Sequence, residues 1–244
     1  MTDNSPQVFA RRSTPPGERR LWRRWWFRLL VVLALACAVP ACQCALLNVL
    51  DPPFTGTMLQ RAVENAWASG EWRMPAYHYL PMDELPRAVL TAAIASEDRK
   101  FFSHNGFDMP AIRRAWRAYH GHESGKLVGG STISQQVARN VFLWQHRSWL
   151  RKGLEAWYTV WLELLVPKRR ILEVYVNIAE MAPMTFGIEA GAQYWYHKPT
   201  DKLKPIEAAH LLALLPSPRH WTPRTPYVEA RARWILAAPP RLPW

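Results

Sequence analysis

The chain has 244 residues and a formal net charge of +12. Beyond the apolar segment near its N-terminus it is long enough for about one domain, which folds without disulfides or metals. Its three cysteines, Cys37, Cys42 and Cys44, lie in or beside that segment, so we expect no disulfide, cysteine nucleophile or cysteine zinc site elsewhere.

The N-terminal part of the chain is first basic and then apolar. Residues 1–28 hold seven arginines against two acidic residues, and residues 29–50 hold no charged residue. As a helix, 29–50 would span roughly 33 Å, enough to cross a hydrocarbon core of about 30 Å. The positive-inside rule then predicts a cytoplasmic tail at 1–28, a transmembrane helix at 29–50 and an exported domain at 51–244. The alternative is a cleaved signal peptide, whose apolar region is shorter, about 7–15 residues.

From residue 83 onwards, hydrophobic spacing predicts a mostly α domain with short extended segments. Asp83 is the predicted cap of a first helix over about 84–96. Thr132 and Gln135 form a capping box that opens a later helix, ending near residue 143. The other predicted helices cover residues 110–119, 148–166, 168–178 and 206–215.

Two carboxylates, Glu97 and Asp98, follow the first predicted helix. A helix C-terminus disfavours negative charge. These carboxylates are therefore either solvated at a frayed helix end or held beside a cleft, where a positioned carboxylate suits a general base.

A second polar group follows Gly129-Gly130. Ile133, Val137 and Val141 form an apolar stripe on the predicted helix. Two glycines before a helix start offer backbone N–H groups to a phosphate or sugar; the alternative is a capped surface helix. The polar residues of this segment are Ser131, Gln135, Gln136, Arg139 and Asn140.

A third group, on or beside the 148–166 helix, combines cations with one carboxylate. It consists of Arg147, Arg151, Lys152 and Glu155. An exposed ion pair would contribute only tenths of a kcal/mol, roughly 0.2–1. The rest of the helix is strongly apolar, however, which favours a central helix, and a charge cluster on a central helix can equally be a site. A fourth segment, 168–177, is interpreted mainly as packing.

Together and in this order, the four segments resemble the motifs of glycosyltransferase family 51, the peptidoglycan polymerases, and most closely its monofunctional biosynthetic transglycosylases. The matching patterns are Glu-Asp-x-x-Phe-x-x-His-x-Gly from Glu97, Gly-x-Ser-Thr-Ile-x-Gln-Gln from Gly129, Arg-Lys-x-x-Glu from Arg151 and Ile-Leu-x-x-Tyr-x-Asn from Ile171. The resemblance covers roughly residues 50–235. No Ser-x-x-Lys occurs in the chain, so we expect no penicillin-binding transpeptidase domain.

The resemblance implies a lysozyme-like α-helical fold and an inverting transfer. Lipid II supplies the attacking 4-hydroxyl, and the growing glycan on undecaprenyl diphosphate is the donor. Glu97 would be the general base, and Glu155 would support the cations or hold a divalent metal, magnesium or manganese. No organic cofactor is implied. The cations for the diphosphate would be Arg139, Arg147, Arg151 and Lys152, and the site would be shaped by Asp98, Ser131, Gln135, Gln136 and Asn140. Relatives usually carry lysine where Arg139 stands.

The resemblance also implies where the protein works and with what. We expect a single-pass protein of the bacterial inner membrane with a periplasmic catalytic domain, and the basic-aromatic helix at 110–119 near the bilayer. Expected partners are lipid II, lipid-linked glycan and other cell-wall synthesis and division proteins, but no nucleic acid. Two alternatives stay open: a lysozyme-like lytic enzyme, which needs a protonated carboxyl at the glycosidic oxygen, and a non-catalytic membrane scaffold.

Overall fold

A computed structural model describes residues 16–120, 130–146 and 148–244. The chain divides into two compact units, Met1–Pro40 and Ala41–Trp244. The first unit is described from Pro16 onwards as part of one long helix, α1 (Pro16–Leu46). Helix α1 therefore includes part of the predicted basic tail.

Within the described residues, one helical stretch, Arg24–Leu46, is long and apolar enough to cross a membrane, a property that signal sequences share. It ends four residues before the predicted end of the transmembrane segment. The carbonyl oxygens of Leu47 and Leu50 accept hydrogen bonds from Arg170 at 2.7 and 2.9 Å. Pro52 and Pro53 follow. Because the α conformation is disfavoured for a residue that precedes a proline, the helix could not extend beyond Leu50.

The second unit is mostly helical. Its short strands are β1 (Ala76–Tyr77), β2 (Glu180–Ala182) and β3 (Thr185–Phe186); they form one sheet in the order β1-β3-β2, with β1 parallel and β2 antiparallel to β3. Its further helices among the described residues are α2 (Gly56–Ser69), α3 (Arg87–Glu97), α4 (Met109–His120), α5 (Ile133–Phe142), α6 (Trp149–Leu165), α7 (Lys168–Ile178), α8 (Ile188–Tyr196), α9 (Pro205–Ala213) and α10 (Pro226–Ala237).

The mostly α prediction is confirmed, and each predicted helix is present. The predicted cap Asp83 is wrong, because α3 begins at Arg87 with Pro86 at the N-cap position. Proline disfavours the α conformation in the residue before it, so Leu85 does not join the helix. Helices α2, α8 and α10 were not predicted as helices.

Helix α7 lies at the centre of the domain. Every residue from Ile171 to Ile178 is buried, and α7 packs against α3, α5 and α8. Asn177 at its end donates to the Leu80 carbonyl and accepts from the Leu80 N–H, both at 2.8 Å. The interpretation of the 168–177 segment as packing is confirmed for these residues.

One position after this helix requires glycine, because two stretches of backbone approach each other closely there. Gly187 has a φ of 83°, and a Cβ there would lie 2.5 Å from the backbone oxygen of Asn177. Any side chain at this position would force α7 away from the start of α8.

Candidate active site

Glu97 is held by three hydrogen-bond donors at the C-terminal end of α3. One oxygen, Oε1, accepts from the Ser96 hydroxyl at 2.9 Å and from Arg231 at 3.1 Å. The other, Oε2, accepts from the Gln136 amide at 3.0 Å. The side chain is 14% exposed, so this carboxylate is not at a frayed helix end. Because a carboxylate has about four lone-pair positions, roughly one is left for a ligand.

Asp98 joins two other segments. Its carboxylate lies 3.0 and 3.1 Å from His104 Nε2 and accepts the Ile133 backbone N–H at 3.2 Å. His104 Nδ1 accepts the Gly106 N–H, so Nε2 carries the ring proton and donates it to Asp98. Asp98 therefore fixes the start of α5 relative to Glu97.

Side chains accept hydrogen bonds from backbone N–H groups at the N-terminus of α5. The predicted capping box is present: the Gln135 side chain accepts the Thr132 N–H, and the Thr132 hydroxyl accepts the Gln135 N–H. Asp98 takes the Ile133 N–H. The expectation that this helix start offers those N–H groups to a phosphate or sugar is therefore wrong for Thr132, Ile133 and Gln135.

The carboxylate of the third motif lies in the interior. Glu155 is 1% exposed; one oxygen accepts from Arg151 at 2.9 Å and the other from Lys152. Lys152 also lies 3.5 Å from the Ser131 hydroxyl. The Lys152 side chain is 42% exposed and that of Arg151 only 10%. The exposed ion-pair interpretation is wrong, and Lys152 is the member of this cluster that a ligand reaches most easily.

Arg139 connects the two acidic groups electrostatically. Burial lowers the pKa of its guanidinium, while the negative charges of Glu155 and Glu97 oppose this decrease. Its Nε donates to Asn140 Oδ1 at 3.3 Å. The cation therefore lies on α5 within electrostatic reach of both carboxylates. Arg147 and Gly129 lie outside the described residues.

A cleft opens beside these groups. Gln136, Arg139 and Tyr175 line it on one side, and Arg61 lines it with Glu180 on another. Arg61 Nε and one terminal nitrogen bind both oxygens of Glu180 at 3.0–3.2 Å. Burial raises the pKa of Glu180, and the Arg61 charge opposes that increase. The lining is polar and carries charges of both signs, a chemistry that suits a hydroxyl-rich ligand.

The residues around Glu155 do not fit a divalent metal. Both of its oxygens are taken by cations. Across 16–120, 130–146 and 148–244, no three His, Cys, Asp or Glu side chains are grouped so that they could hold a metal ion. Magnesium and manganese prefer oxygen ligands, including carboxylates, so we assign no metal to Glu155.

Arg231 is a candidate site residue that the sequence patterns do not reveal. It reaches Glu97 from α10, 134 positions further along the chain, and also donates to the Ser96 carbonyl at 2.9 Å. Local spacing cannot reveal a pair so far apart, and α10 itself was not predicted.

Replacing Arg231 with Met will lower the turnover of Glu97-dependent chemistry by about 10- to 100-fold, because small misplacements of a catalytic group have effects of that size. Steady-state rates under identical conditions measure the change. Arg231→Lys should retain part of the rate, since lysine keeps a positive charge beside Glu97 but loses the second hydrogen bond, to the Ser96 carbonyl. Arg233→Met is the matched control, because Arg233 is exposed and pairs with exposed Glu229 at 3.6 Å. Equal rates for the Arg231 and Arg233 variants would contradict the assignment.

Comparison with known proteins agrees with the family that the sequence motifs resemble. Residues 67–239 match the family model described as Transglycosylase. The biosynthetic peptidoglycan transglycosylase of Xanthomonas euvesicatoria pv. vesicatoria (strain 85-10) is 44% identical over 229 residues, which cover 93% of this chain and 90% of the relative. The protein of the same name from Xylella fastidiosa (strain 9a5c) is 43% identical over 216 residues, covering 86% and 87%.

Proposed function

Because this chain belongs to the transglycosylase family, and its relatives are named for peptidoglycan biosynthesis, we propose that it polymerises lipid II into glycan strands with inversion at the transferred sugar. The observation that carries the proposal is the Glu97 carboxylate, held by Arg231 and Gln136 beside a polar cleft. That arrangement provides a fixed base with one lone-pair position left for a sugar hydroxyl.

Glu97 accepts the proton of the attacking alcohol in this reaction. The 4-oxygen of lipid II forms a bond to C1 of the donor sugar, and the bond from C1 to the diphosphate oxygen breaks. The electron pair leaves with undecaprenyl diphosphate, and the proton of the 4-hydroxyl passes to Glu97. Arg231 and the Ser96 and Gln136 donors hold the carboxylate in position. A lytic enzyme would instead need a protonated carboxyl at the glycosidic oxygen.

The leaving diphosphate requires cations rather than an acid. Lys152 is accessible, and Arg139 lies on the wall of the cleft. Arg151 is committed to Glu155 in the interior. In our proposal Lys152 and Arg139 stabilise the diphosphate as its charge develops, whereas Arg151 and Glu155 hold Lys152 and the start of α6 in place.

Replacing Arg139 with Met will reduce polymerisation by about 10²–10³-fold, the effect of removing one donor that stabilises a developing charge. Arg139→Lys retains the positive charge and should stay within about tenfold of wild type, since lysine also binds phosphate as a point charge. Initial rates of lipid II consumption test both variants. A Met variant as fast as the Lys variant would show that the charge at this position does not act on the diphosphate.

The membrane part of the proposal rests on two observations. The apolar stretch Arg24–Leu46 has the length of a membrane span, and the arginines before it favour a cytoplasmic position for that end by the positive-inside rule. In the folded domain, α4 exposes Met109 and Trp116, and α6 exposes leucine and tryptophan side chains. We propose that the domain works at the periplasmic face of the inner membrane, where its substrate is lipid-anchored, alongside other cell-wall synthesis and division proteins.

Detergent-purified protein incubated with labelled lipid II, with and without a divalent cation, tests the function. A ladder of long glycan on a gel supports the polymerase. Shortening of preformed glycan without polymer would support the lytic enzyme instead. A folded sample that does neither would leave the non-catalytic scaffold as the better hypothesis.

A further inference from the structure

The Arg139 guanidinium is oriented through one of its nitrogens and left open at the other two. Its Nε donates to Asn140 Oδ1 at 3.3 Å. Neither terminal nitrogen has a hydrogen-bond partner among the described residues, and neither is one of the buried atoms there that lack a partner. Both terminal nitrogens therefore have accessible surface, on a residue that lines the cleft. Two such nitrogens, held in one plane, suit a bidentate contact with phosphate oxygens.

Asn140 is itself fixed by two residues. Gln145, in the loop between α5 and α6, donates its side-chain amide to the same Asn140 Oδ1 at 3.2 Å and to the Thr57 hydroxyl at 2.6 Å. The Thr57 hydroxyl donates to the Asn140 carbonyl at 3.2 Å. The side-chain atom of Asn140 that meets Gln145 and Arg139 must be the oxygen, because both neighbours are donors. These bonds form the Thr57–Arg139 network, a continuous path from α2 to the cation.

Attachment of α2 to the rest of the domain does not depend on the Gln145 side chain. The Gln145 backbone N–H donates to the Gln60 side chain at 2.9 Å, and Arg61 binds Glu180 at 3.0–3.2 Å. These bonds already join α2 to the loop after α5 and to β2. The Gln145 amide adds something different, since one of its bonds shares an acceptor with Arg139. All four residues of the network line the cleft, so the network is placed to set the direction of the cation.

We propose that Gln145 and Thr57 are positioning residues, which hold the Arg139 guanidinium in the direction of the substrate diphosphate through Asn140. The proposal rests on the proposed function, in which Arg139 stabilises that diphosphate as it leaves. A cation that is already oriented loses little freedom when the ligand binds. Lysine at position 139 has no Nε to donate to Asn140, so the network acts only on arginine. Gln145 and Thr57 lie outside the four motifs, and α2 contributes to the site through them.

A double-mutant cycle with Arg139→Lys in the full-length protein tests the proposal. With arginine at 139, Gln145→Leu should lower kcat/KM for lipid II by about three- to tenfold, the usual effect of one hydrogen bond. Thr57→Val should lower it by about two- to fivefold, because Gln145 keeps its bond to Asn140. With lysine at 139, either substitution should change kcat/KM by less than about twofold. Equal losses in both backgrounds would overturn the proposal, since they would show that the two residues act on the fold.

Gln60→Met is the matched control. It removes the bond from the Gln145 backbone but none of the network, so kcat/KM should equal that of the wild type. Melting temperatures of all variants show whether they are folded. A Gln60→Met variant as slow as Gln145→Leu would contradict the proposal, because loosening of α2 alone would then explain the loss.

Binding of farnesyl diphosphate, which carries a diphosphate but no sugar, separates this proposal from the proposed function. With arginine at 139, Gln145→Leu should raise the Kd for farnesyl diphosphate by about three- to tenfold, and with lysine at 139 by less than about twofold. This pattern in a protein that makes no polymer would reject the proposed function alone. An unchanged Kd in Gln145→Leu, or a wild type that does not bind farnesyl diphosphate, would overturn the proposal.

Discussion

Replacing Glu97 with Gln will lower polymerisation of lipid II by about 10²–10⁴-fold, the contribution of a positioned general base. The amide cannot accept the proton of the attacking hydroxyl. It keeps the size of the carboxylate and one acceptor oxygen for Ser96 or Gln136, so the fold should be preserved. Initial rates with labelled lipid II measure the loss, and the melting temperature shows that the variant is folded.

Glu84→Gln is the matched control for this substitution. Glu84 is an exposed carboxylate in the same region of the sequence, just before α3, and its replacement should leave both rate and stability unchanged. If Glu97→Gln polymerised lipid II within tenfold of wild type, Glu97 would not be the base. The Arg231 prediction would then lose its reason as well, because Arg231 is proposed to act through Glu97.

Replacing Glu155 with Gln will strongly destabilise the domain. Removing one partner of a buried ion pair leaves an uncompensated charge, which costs about 3–5 kcal/mol. Glu155 is 1% exposed and compensates Arg151 and Lys152 together. For a domain of this size the melting temperature should fall by roughly 6–20 °C. Polymerisation should fall too, because Lys152 and Arg139 lose the charge that orders them.

Two controls distinguish this explanation from a metal site. Glu229→Gln removes a carboxylate from an exposed pair with Arg233 and should change stability by less than about 0.5 kcal/mol. If Glu155 instead held a divalent cation, EDTA would destabilise the wild type as much as the substitution does, and adding magnesium would reverse the effect. We expect EDTA to leave the melting temperature of the wild type unchanged.

The parts of the site that follow from local spacing could be predicted from the sequence. The Thr132–Gln135 capping box and the pairing of Arg151 with Glu155 each need only a few residues of one helix, and both are present. The burial of Glu155 was harder to predict from the sequence, since the same spacing suits an exposed ion pair. Only the apolar remainder of α6 indicated that this helix is central.

The parts that depend on distant packing could not be predicted. Arg231 meets Glu97 across 134 positions, and Arg61 meets Glu180 across 119. The closed N-terminus of α5 has the same cause, because Asp98 takes the Ile133 N–H from 35 positions away. Sequence patterns predicted Glu97, Arg139 and Glu155 as site residues, but their partners are set by how the helices pack.

The origin of Arg231 in α10 has a consequence for the biogenesis of the protein. Ribosomes build chains from the N-terminus, at about 5–20 residues per second. The arginine 134 positions beyond Glu97 is therefore added roughly 7–27 s later. Until α10 has been made and has docked, Glu97 lacks its charged partner. A nascent chain that already carries all four motifs therefore still lacks the group that positions Glu97, and we expect full activity only once almost the whole protein has been made.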